Sequence, residues 1–547
     1  MKKHIKQSRL YIIIHIISNI LATIALAVTP YLSKLLFDYI SEGKNVNLKL
    51  FILSYIVCII MYIILTYIEG LTNWKIAIKF EGSLKKDFFK SLTRYSYNKF
   101  AAKDIGEYIS LQSNEITQLE MDYLTPVLDL IKSINSFIIY GVVLFIFIDW
   151  RIAFTILILS ILATTIAPNI TGDKLSKKRK TYLDKVGIYT STIKDLLEGF
   201  KLIKATTRDN FIKEHENILN ETLDKRYSYG KLKTLAGIIN GLFSYSLNII
   251  SFALVGYLLI NKDISIGTAV ATFGYIECFI VPIRSIVYDL NTIKSTKGIK
   301  DKVVEFFKYD VSENTKTQKH EFKELIEFKD VNVHYNNFTL DNFSYKFEKG
   351  KKYAIIGHSG CGKSTIVNAL MNYIDTDNGE ILIDNQNILN SKYDYIITCI
   401  NQNEHIFATN FKDNSTIFSS YEFKTLDFLK AQLRPKAVNS IFEKGNCQLL
   451  SGGEKQITSI ARMLLSDTPI YIMDEAFSAI DMNTTKKLQN YLLSMKYKTI
   501  IMVTHKLSED LAEFDEILLM KNGELIQSGT YEDMCNCMEF TNLQSAF

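Results

Sequence analysis

The stretch Gly357-His358-Ser359-Gly360-Cys361-Gly362-Lys363-Ser364 decides the fold of the second half of this chain. Its glycines allow a turn so tight that backbone N–H groups point at phosphate oxygens. Lys363 can then reach the β- and γ-phosphates, and the Ser364 hydroxyl can ligate Mg²⁺. An apolar run from Tyr353 to Ile356 precedes the loop and an apolar stretch from Thr365 follows it. This strand–loop–helix pattern predicts a phosphate-binding α/β domain.

The composition predicts a membrane part joined to a soluble part. The chain has 547 residues, of which 48% are hydrophobic and 22% charged, with a mean hydropathy of +0.07. This length exceeds one ordinary domain. The net charge of +5 gives no case for nucleic acid as a partner. The seven cysteines lack metal-ligand spacing apart from Cys535-x-Cys537, which favours reduced thiols over a zinc site or disulfides.

The first half contains six apolar stretches that are long enough to cross a bilayer, at 10–32, 50–71, 130–148, 152–170, 236–260 and 264–286. The N-terminus is basic, and no small-residue cleavage site closes the first stretch, so we interpret it as a membrane helix and not as a signal peptide. The connections 72–129 and 171–235 are long and polar, and the second is rich in lysine. By the positive-inside rule, the N-terminus and both of these connections lie in the cytoplasm.

A second motif narrows the class of the phosphate-binding domain. Ser451-Gly452-Gly453-Glu454 follows about ninety residues after the phosphate loop, and it resembles the signature sequence of ABC ATPases. With six apolar spans ahead of both motifs, the chain resembles an ABC exporter half-transporter. The resemblance implies a membrane α-helical six-span bundle followed by a P-loop α/β ABC ATPase domain. The expected boundaries are 1–300 for the transmembrane domain, 301–324 for a linker and 325–547 for the nucleotide-binding domain.

The resemblance also implies roles at the ATP site, with ATP and Mg²⁺ as the expected cofactors. The run Ile470 to Glu475 is similar to the Walker B motif, so Asp474 is expected in the Mg²⁺ shell and Glu475 as the general base. Gln402 resembles the Q-loop glutamine, His505 the switch histidine, and Tyr335 the aromatic residue that stacks on adenine. The expected catalytic residues are Glu475 and His505, and the expected metal-binding residues are Ser364, Gln402 and Asp474. The residues expected to bind the nucleotide are Tyr335, Gly357, His358, Ser359, Gly360, Cys361, Gly362, Lys363, Ser364, Thr365, Gln402, Ser451, Gly452, Gly453, Glu454 and Asp474.

The resemblance further implies a dimer. In this family the signature binds the γ-phosphate held by the opposite protomer, so ATP joins two ATPase domains head to tail. Every ATPase motif is intact in this one chain, which favours a homodimer and leaves a heterodimer open. Two residues depart from the usual pattern, since Glu454 stands where Gln is commoner and Cys361 replaces a commoner small residue. The pieces Phe100 to Glu107 and Asp195 to Lys204 resemble coupling elements, although solvated amphipathic helices would look the same.

Polar residues within the apolar spans are candidates for contact with cargo. They follow one helical face in the first span and one in the fifth: His15, Asn19 and Thr23, and then Asn240, Ser244, Asn248 and Ser251. Close helix packing explains such stripes as well as the wall of a central cavity does.

Glu277 lies near the middle of the sixth span. A carboxylate at that depth costs about 2.5–3.5 kcal/mol, so it is expected to face protein or water and not lipid. It could pair with His15, anchor a contact between helices, or bind a cationic group of the cargo. The candidate substrate residues are therefore His15, Asn19, Asn248 and Glu277.

The expected function is ATP-driven export of a small peptide, such as a bacteriocin, from the bacterial cytoplasm by alternating access. The polar spans and Glu277 favour a peptide, with a lipid flippase or a multidrug exporter as alternatives. A nucleotide-gated regulator or channel on the same scaffold is the rival from another class, and the intact Glu475 argues against it. A composition rich in Lys, Asn and Ile suggests a bacterial source, and hence a multi-pass protein of the inner (cytoplasmic) membrane with its ATPase domain in the cytoplasm.

Overall fold

The computed structural model describes residues 2–308, 321–335, 338–389, 393, 395–402, 404–424, 426–433, 435–505, 507 and 509–545. The chain divides into two compact units. The first comprises Met1–Thr93 and Asp104–Asp310, and the second comprises Arg94–Lys103 and Val311–Phe547. Within the predicted linker at 301–324, positions 309–320 lie outside the described residues.

The first half of the chain is helical throughout. Its helices are α1 (Lys2–Lys6), α2 (Arg9–Ser41), α3 (Leu48–Leu92), α4 (Tyr97–Ala101), α5 (Ile105–Ser110), α6 (Ile116–Leu119), α7 (Thr125–Val143), α8 (Trp150–Glu198), α9 (Arg208–Ile260), α10 (Ile266–Ser295) and α11 (Lys297–Lys308). Segments of π-helix at Leu111–Glu115 and Glu120–Leu124 join α5, α6 and α7 into one helical run, and a third at Leu144–Ile148 extends α7.

Within the described residues, four helices are long and apolar enough to cross a membrane: Arg9–Ser41, Leu48–Leu92, Ile105–Ile148 and Ile266–Ser295. Helices α8 and α9 carry shorter apolar stretches, at Trp150–Leu159 and Asn248–Ile260. A bilayer needs only about 20 helical residues. Since α3, α8 and α9 have 45, 49 and 53 residues, each is much longer than one membrane crossing.

Side-chain caps begin three of the long helices. The Asn47 side chain accepts from the N–H of Leu50 at the start of α3, and Asp149 accepts from two N–H groups at the start of α8. Ser265 accepts from the N–H of Thr268 at the start of α10. These caps satisfy N–H groups that have no partner within the helix, so the short polar connections both end one helix and start the next.

Small residues allow α2 and α10 to approach closely. Ala27 of α2 is buried, and its carbonyl oxygen accepts a 2.6 Å hydrogen bond from the Tyr275 hydroxyl of α10. A Cβ atom at Gly274 would lie 3.2 Å from the Cβ atom of Pro30. Such contacts are typical of helix pairs in membranes, where packing and interhelical hydrogen bonds replace the hydrophobic effect.

The second unit contains two β-sheets. An antiparallel sheet has the strand order β2-β1-β4-β5, and a six-stranded, mainly parallel sheet has the order β10-β9-β3-β8-β7-β6. The strands are β1 (Leu325–Tyr335), β2 (Phe338–Glu348), β3 (Lys352–Gly357), β4 (Asn378–Ile383), β5 (Gln386–Asn387), β6 (Ile397–Ile400), β7 (Ile470–Asp474), β8 (Thr499–Val503), β9 (Glu516–Lys521) and β10 (Glu524–Gly529).

Helices surround these sheets, and the parallel strands form the core between them. The helices are α12 (Lys363–Leu370), α13 (Phe411–Thr416), α14 (Asp427–Gln432), α15 (Pro435–Phe442), α16 (Gly452–Ser466), α17 (Met482–Leu493), α18 (Tyr531–Cys535) and α19 (Met538–Ser545). Every residue of β3, β7 and β8 is buried, because both faces of a parallel sheet are covered. Ligands of such sheets bind at the carboxyl ends of the strands, which is where the motifs predicted from the sequence lie.

The short helix α4 belongs to the second unit. The Asn98 side-chain amide donates a 2.7 Å hydrogen bond to the Asp375 carboxylate, and the rings of Tyr97 and Tyr373 are 4.6 Å apart. The predicted coupling element at 100–107 begins at the end of this helix. Its role in coupling stays a prediction.

Candidate functional site

The phosphate loop follows β3 and needs glycine at its bends. Gly357 and Gly362 have φ angles of 148° and 107°, which side chains rarely adopt. A Cβ atom at Gly357 would also lie 2.3 Å from the Met520 carbonyl oxygen. The buried Lys363 ammonium donates to the carbonyl oxygens of Gly357 and His358, both at 2.8 Å. The loop therefore curls around a cation at the start of α12.

The remaining loop residues differ in exposure. His358, Ser359 and Gly360 are exposed at the tip, and Ser364 is exposed at the start of α12 beside the half-buried Thr365. Cys361 is buried, and this burial raises the pKa of its thiol despite the neighbouring Lys363. A buried thiol with a raised pKa is poorly reactive.

The first acid of the predicted Walker B motif is buried at the end of β7. Burial raises the pKa of Asp474, and the neighbouring Glu475 raises it further, while a hydrogen bond with the Ser364 hydroxyl opposes the shift. Among the described residues, Asp474 Oδ1 has no hydrogen-bond partner. An unpaired carboxylate oxygen beside a hydroxyl fits a hard divalent cation such as Mg²⁺.

The described residues contain no group of three or more His, Cys, Asp or Glu that could hold a metal ion. Mg²⁺ is usually held by one or two carboxylates together with water and substrate phosphates, and Asp474 with the Ser364 hydroxyl offers donors of that kind.

The second acid lies where three strand ends meet. Glu475 has φ 51°, and its N–H donates to the Val503 carbonyl oxygen at the end of β8 at 3.2 Å. Its carboxylate accepts a 2.7 Å hydrogen bond from the Gln402 side-chain amide and contacts Nε2 of His505. The loops after β6, β7 and β8 therefore converge on one carboxylate, which their side chains hold in place.

The predicted signature begins α16 and caps it. The Ser451 N–H and hydroxyl both donate to the Glu454 carboxylate, at 2.8 and 2.7 Å, and the Glu454 N–H points back to the hydroxyl. The pKa of Glu454 is lowered, mainly by a hydrogen bond from Ser440 and also by these donors. Glu454, which stands where Gln is commoner, is therefore a capping residue of its own helix in this structure.

The segment after β7 packs on this helix through contacts that the sequence analysis missed. The Gln456 side chain accepts from the Ala479 N–H at 2.9 Å and donates to the Ser478 hydroxyl at 2.8 Å. A signal was available, because Gln456 lies three residues after Gly453 and so shares its helical face. Tyr335 is the last residue of β1, and its side chain lies outside the described part of the structure.

Comparison with known proteins decides the family. Residues 12–283 match the ABC transporter transmembrane region, and residues 340–478 match the ABC transporter family. The chain belongs to the ABC transporter family. It is an exporter-type half-transporter, with a transmembrane region fused to one ATP-binding domain, as the sequence predicted.

Relatives and solved structures agree with this assignment. An ATP-dependent lipid A-core flippase of Photobacterium profundum is 24% identical, over 83% of this chain and 80% of its own. A Bacillus subtilis ATP-binding/permease protein, provisionally named for multidrug export, is 26% identical over 86% and 83%. The fold matches that of a bacterial Atm1-family ABC exporter solved with ATP bound, with a TM-score of 0.84 and 18% identity over 99% of this chain and 98% of that one.

The transmembrane unit of this ABC transporter holds a polar cavity of about 670 Å³. Two of the predicted substrate residues, Asn19 and Glu277, line it. His15 is buried beside it and lies 3.2 Å, through Nδ1, from the Glu69 carbonyl oxygen. The described contacts of His15 are thus with α3 and not with Glu277. Asn248 is half-buried on α9 and is not among the described residues that line this cavity. The side chains of Asn240 and Ser244 lie outside the described part of the structure.

Other charged residues of this cavity were missed from the sequence. Glu69, Asp129, Lys132 and Asp289 all line it, and the Lys132 ammonium lies 2.6 Å from the Glu69 carboxylate. Three of the four are acids at the end of an apolar span or just beyond it, where a carboxylate is ordinarily attributed to the solvated membrane surface. The signal available in the sequence was that three acids lie at span ends on the same predicted side of the membrane.

Proposed function

We propose that this ABC transporter is an exporter of small peptides that works as a head-to-tail homodimer in the bacterial cytoplasmic membrane. ATP-driven transport follows from membership of the family. The peptide cargo, the homodimer and the location in the bacterial cytoplasmic membrane are what we propose. The observation that carries active export is Glu475, whose carboxylate is held between the Gln402 amide and His505 beside the buried Asp474.

We assign each residue of the ATP site a role on this basis. The phosphate loop and Lys363 bind the ATP phosphates, and Ser451 to Gly453 of the second protomer bind the γ-phosphate from the other side. Ser364, Asp474 and Gln402 would hold Mg²⁺, which neutralises charge on the phosphates when bound. Glu475 orients the attacking water and takes its proton, and His505 holds the Glu475 carboxylate in position.

This arrangement argues against a nucleotide-gated regulator or channel. Gating by ATP binding requires a nucleotide pocket and dimer closure, but it does not require a carboxylate positioned to accept a proton. Glu475 has a positive φ angle and two side-chain partners, so the structure holds it at some conformational cost. Such strain is typical of residues that take part in a mechanism.

A peptide is favoured over a lipid or an apolar drug because of the cavity wall. Asn19 and Glu277 are joined there by Thr23, Thr66 and Ser133, so the wall offers many hydrogen-bond partners to a peptide backbone. The two alternatives are supported by the relatives, one named as a lipid A-core flippase and one named for multidrug export.

The test compares wild type with Glu475→Gln in proteoliposomes. We expect Glu475→Gln to bind ATP with unchanged affinity and to lose about 10²–10⁴-fold in steady-state hydrolysis, with no ATP-dependent uptake of a peptide library. The matched control is Glu524→Gln, which changes an exposed carboxylate of the same domain and should retain both activities.

Two results would contradict the proposal separately. Near-normal hydrolysis by Glu475→Gln would remove Glu475 as the general base. Wild-type protein that hydrolyses ATP and moves a fluorescent lipid or drug, but no peptide, would leave active export standing and overturn the peptide assignment.

A further inference from the structure

We propose that the polar cavity of the transmembrane unit binds a polycation, an elongated substrate with at least two amine or guanidinium groups. Asp129 and Asp289 hold one cationic group and Glu277 holds another. This inference rests on the proposed export function and specifies the charge of its cargo.

The charge on the cavity wall is the first argument. Four carboxylates line the cavity, those of Glu69, Asp129, Glu277 and Asp289, whereas Lys132 is the one basic residue among the described lining residues. Lys132 is engaged by Glu69, with 2.6 Å between the ammonium nitrogen and Oε1. The formal charges of these side chains sum to −3, and like charges in a cavity of low dielectric repel one another strongly. A cationic ligand is the simplest way to compensate them.

Two buried acceptors that have no partner among the described residues belong to side chains lining the same cavity. Asp289 and Asn19 are each only 3% exposed, and both line the cavity. Among the described residues, Asp289 Oδ2 and Asn19 Oδ1 have no hydrogen-bond donor. The Asn19 amide nitrogen faces the Glu69 carboxylate at 3.5 Å, which leaves its oxygen for the cavity. Buried polar atoms are nearly always satisfied, so these two acceptors call for a ligand with N–H donors.

The spacing of the carboxylates indicates an elongated ligand. Glu277, Val281, Ser285 and Asp289 follow one another at every fourth position of α10, and all four line the cavity. At about 1.5 Å per residue, Glu277 and Asp289 are separated by about 18 Å along the helix. An extended peptide rises about 3.4 Å per residue, so two lysines five residues apart would match this separation.

Aromatic residues on the wall add to the preference for cations. Tyr62, Tyr140 and Tyr288 come from three different helices and all line the cavity. The faces of tyrosine rings attract ammonium and guanidinium groups. An anionic amphiphile would instead meet carboxylates of its own sign, so the cavity discriminates between the two.

The test uses the full chain in proteoliposomes and a series of synthetic ten-residue peptides that differ only in charge. One peptide has two lysines five residues apart, one has a single lysine, one has glutamines in place of both, and one has glutamates. We expect the dicationic peptide to stimulate ATP hydrolysis and to be taken up at a concentration at least tenfold lower than the glutamine peptide. The glutamate peptide should be inactive.

Variants locate the effect in the cavity. Asp289→Asn and Glu277→Gln should each raise the half-maximal concentration of the dicationic peptide at least tenfold, with stimulation expressed relative to each variant's own cargo-free rate. These two variants should leave the half-maximal concentration of the glutamine peptide unchanged. Asp289→Glu, which keeps a carboxylate, should bind the dicationic peptide about as tightly as wild type. The matched control is Glu216→Gln, which removes an exposed carboxylate of α9 outside the cavity and should behave as wild type.

The outcomes separate this inference from the proposed function. Equal uptake of the dicationic and glutamine peptides by wild type would overturn the polycation site and leave peptide export intact. Uptake of neither peptide, with a lipid or drug transported instead, would overturn the peptide assignment. If either variant fails to fold, the peptide series on wild type alone still decides the question.

Discussion

At the scale of single residues, the ATP site contains one group that disfavours folding, the Asp474 carboxylate. Asp474 is buried at the end of β7 with one carboxylate oxygen that has no partner among the described residues. A buried, partly unsatisfied carboxylate destabilises the folded state. Its retention at this position is expected of a residue kept for ligand binding and not for stability.

We predict that Asp474→Asn stabilises the protein free of nucleotide and Mg²⁺. The pKa of Asp474 is raised in the folded state, so ionisation of this carboxylate destabilises the folded protein. The stability therefore falls as the pH rises from about 4, the pKa in the unfolded state, through the pKa in the folded state. Asn removes this cost. Asp474→Asn should therefore melt at a higher temperature than wild type at pH 7, and the difference should shrink as the pH is lowered toward 4.

The control for this prediction is Asp467→Asn. The pKa of Asp467 is lowered, chiefly by its hydrogen bond with Lys498, so its ionised form contributes stability that is present above the unfolded pKa and lost as pH falls through the folded value. Asn tolerates the left-handed backbone at this helix end. Asp467→Asn should therefore melt below wild type at pH 7. A fall in melting temperature for Asp474→Asn as well would show that its charge is compensated in the protein.

At the scale of elements, the position of the signature helix depends on backbone contact. A Cβ atom at Gly453 would lie 2.6 Å from the Ala479 carbonyl oxygen, whereas one at Gly452 would lie 3.5 Å from the Ala479 side chain. The first contact is with backbone, which cannot rotate away. The start of α16 therefore rests directly on the segment after β7, and Gln456 fixes that segment with two hydrogen bonds.

These neighbouring glycines provide a matched pair of variants. Gly453→Ala should destabilise the ATPase domain by about 1–3 kcal/mol, because overpacking forces the backbone apart, and should reduce ATP hydrolysis strongly. Gly452→Ala makes only an ordinary van der Waals contact and should change the melting temperature much less. Thermal unfolding and hydrolysis, measured on both proteins, check the prediction. Equal melting temperatures would mean that the Ala479 segment moves freely away from α16.

At the scale of the whole molecule, one chain carries both the phosphate loop and the signature-like segment at the start of α16. The phosphate loop presents the exposed Ser359 at its tip, and the signature presents the exposed Ser451 at the start of α16. Ser451 and Glu454 satisfy one another within their own helix, so α16 is stable without help from the phosphate loop. Two such chains arranged head to tail would place each signature opposite the partner's phosphate loop.

Crosslinking between two tagged chains tests this arrangement. One chain carries Ser451→Cys and the other Ser359→Cys, with the native cysteines replaced in both. We expect a disulfide between the two tags in the presence of ATP and little without it. The control pairs Ser359→Cys with Glu524→Cys, at an exposed site on β10, and should not crosslink. If the two cysteines instead form a disulfide only when both are on the same chain, the head-to-tail dimer is wrong.

Local sequence determined the motifs of the ATP site and the class of the protein. The phosphate loop, the acids after β7 and the apolar spans are contiguous patterns, and their chemistry follows from backbone conformation and hydropathy over a few residues. The resemblance of their motifs to those of ABC ATPases also led us to expect Gln402, Glu475 and His505 at one ATP site. The structure brings these three side chains into contact.

Only the tertiary structure decided what surrounds the cavity in the membrane. Asn19, Glu69, Asp129 and Asp289 come from four helices, and hydropathy does not tell how each helix is rotated or how deeply it lies in the bilayer. Glu277 was visible in the sequence because a carboxylate inside an apolar span is costly. The acids at the span ends carry no such signal by themselves. They form a cavity wall because helix packing turns them toward one another, and that packing depends on contacts between residues far apart in the chain.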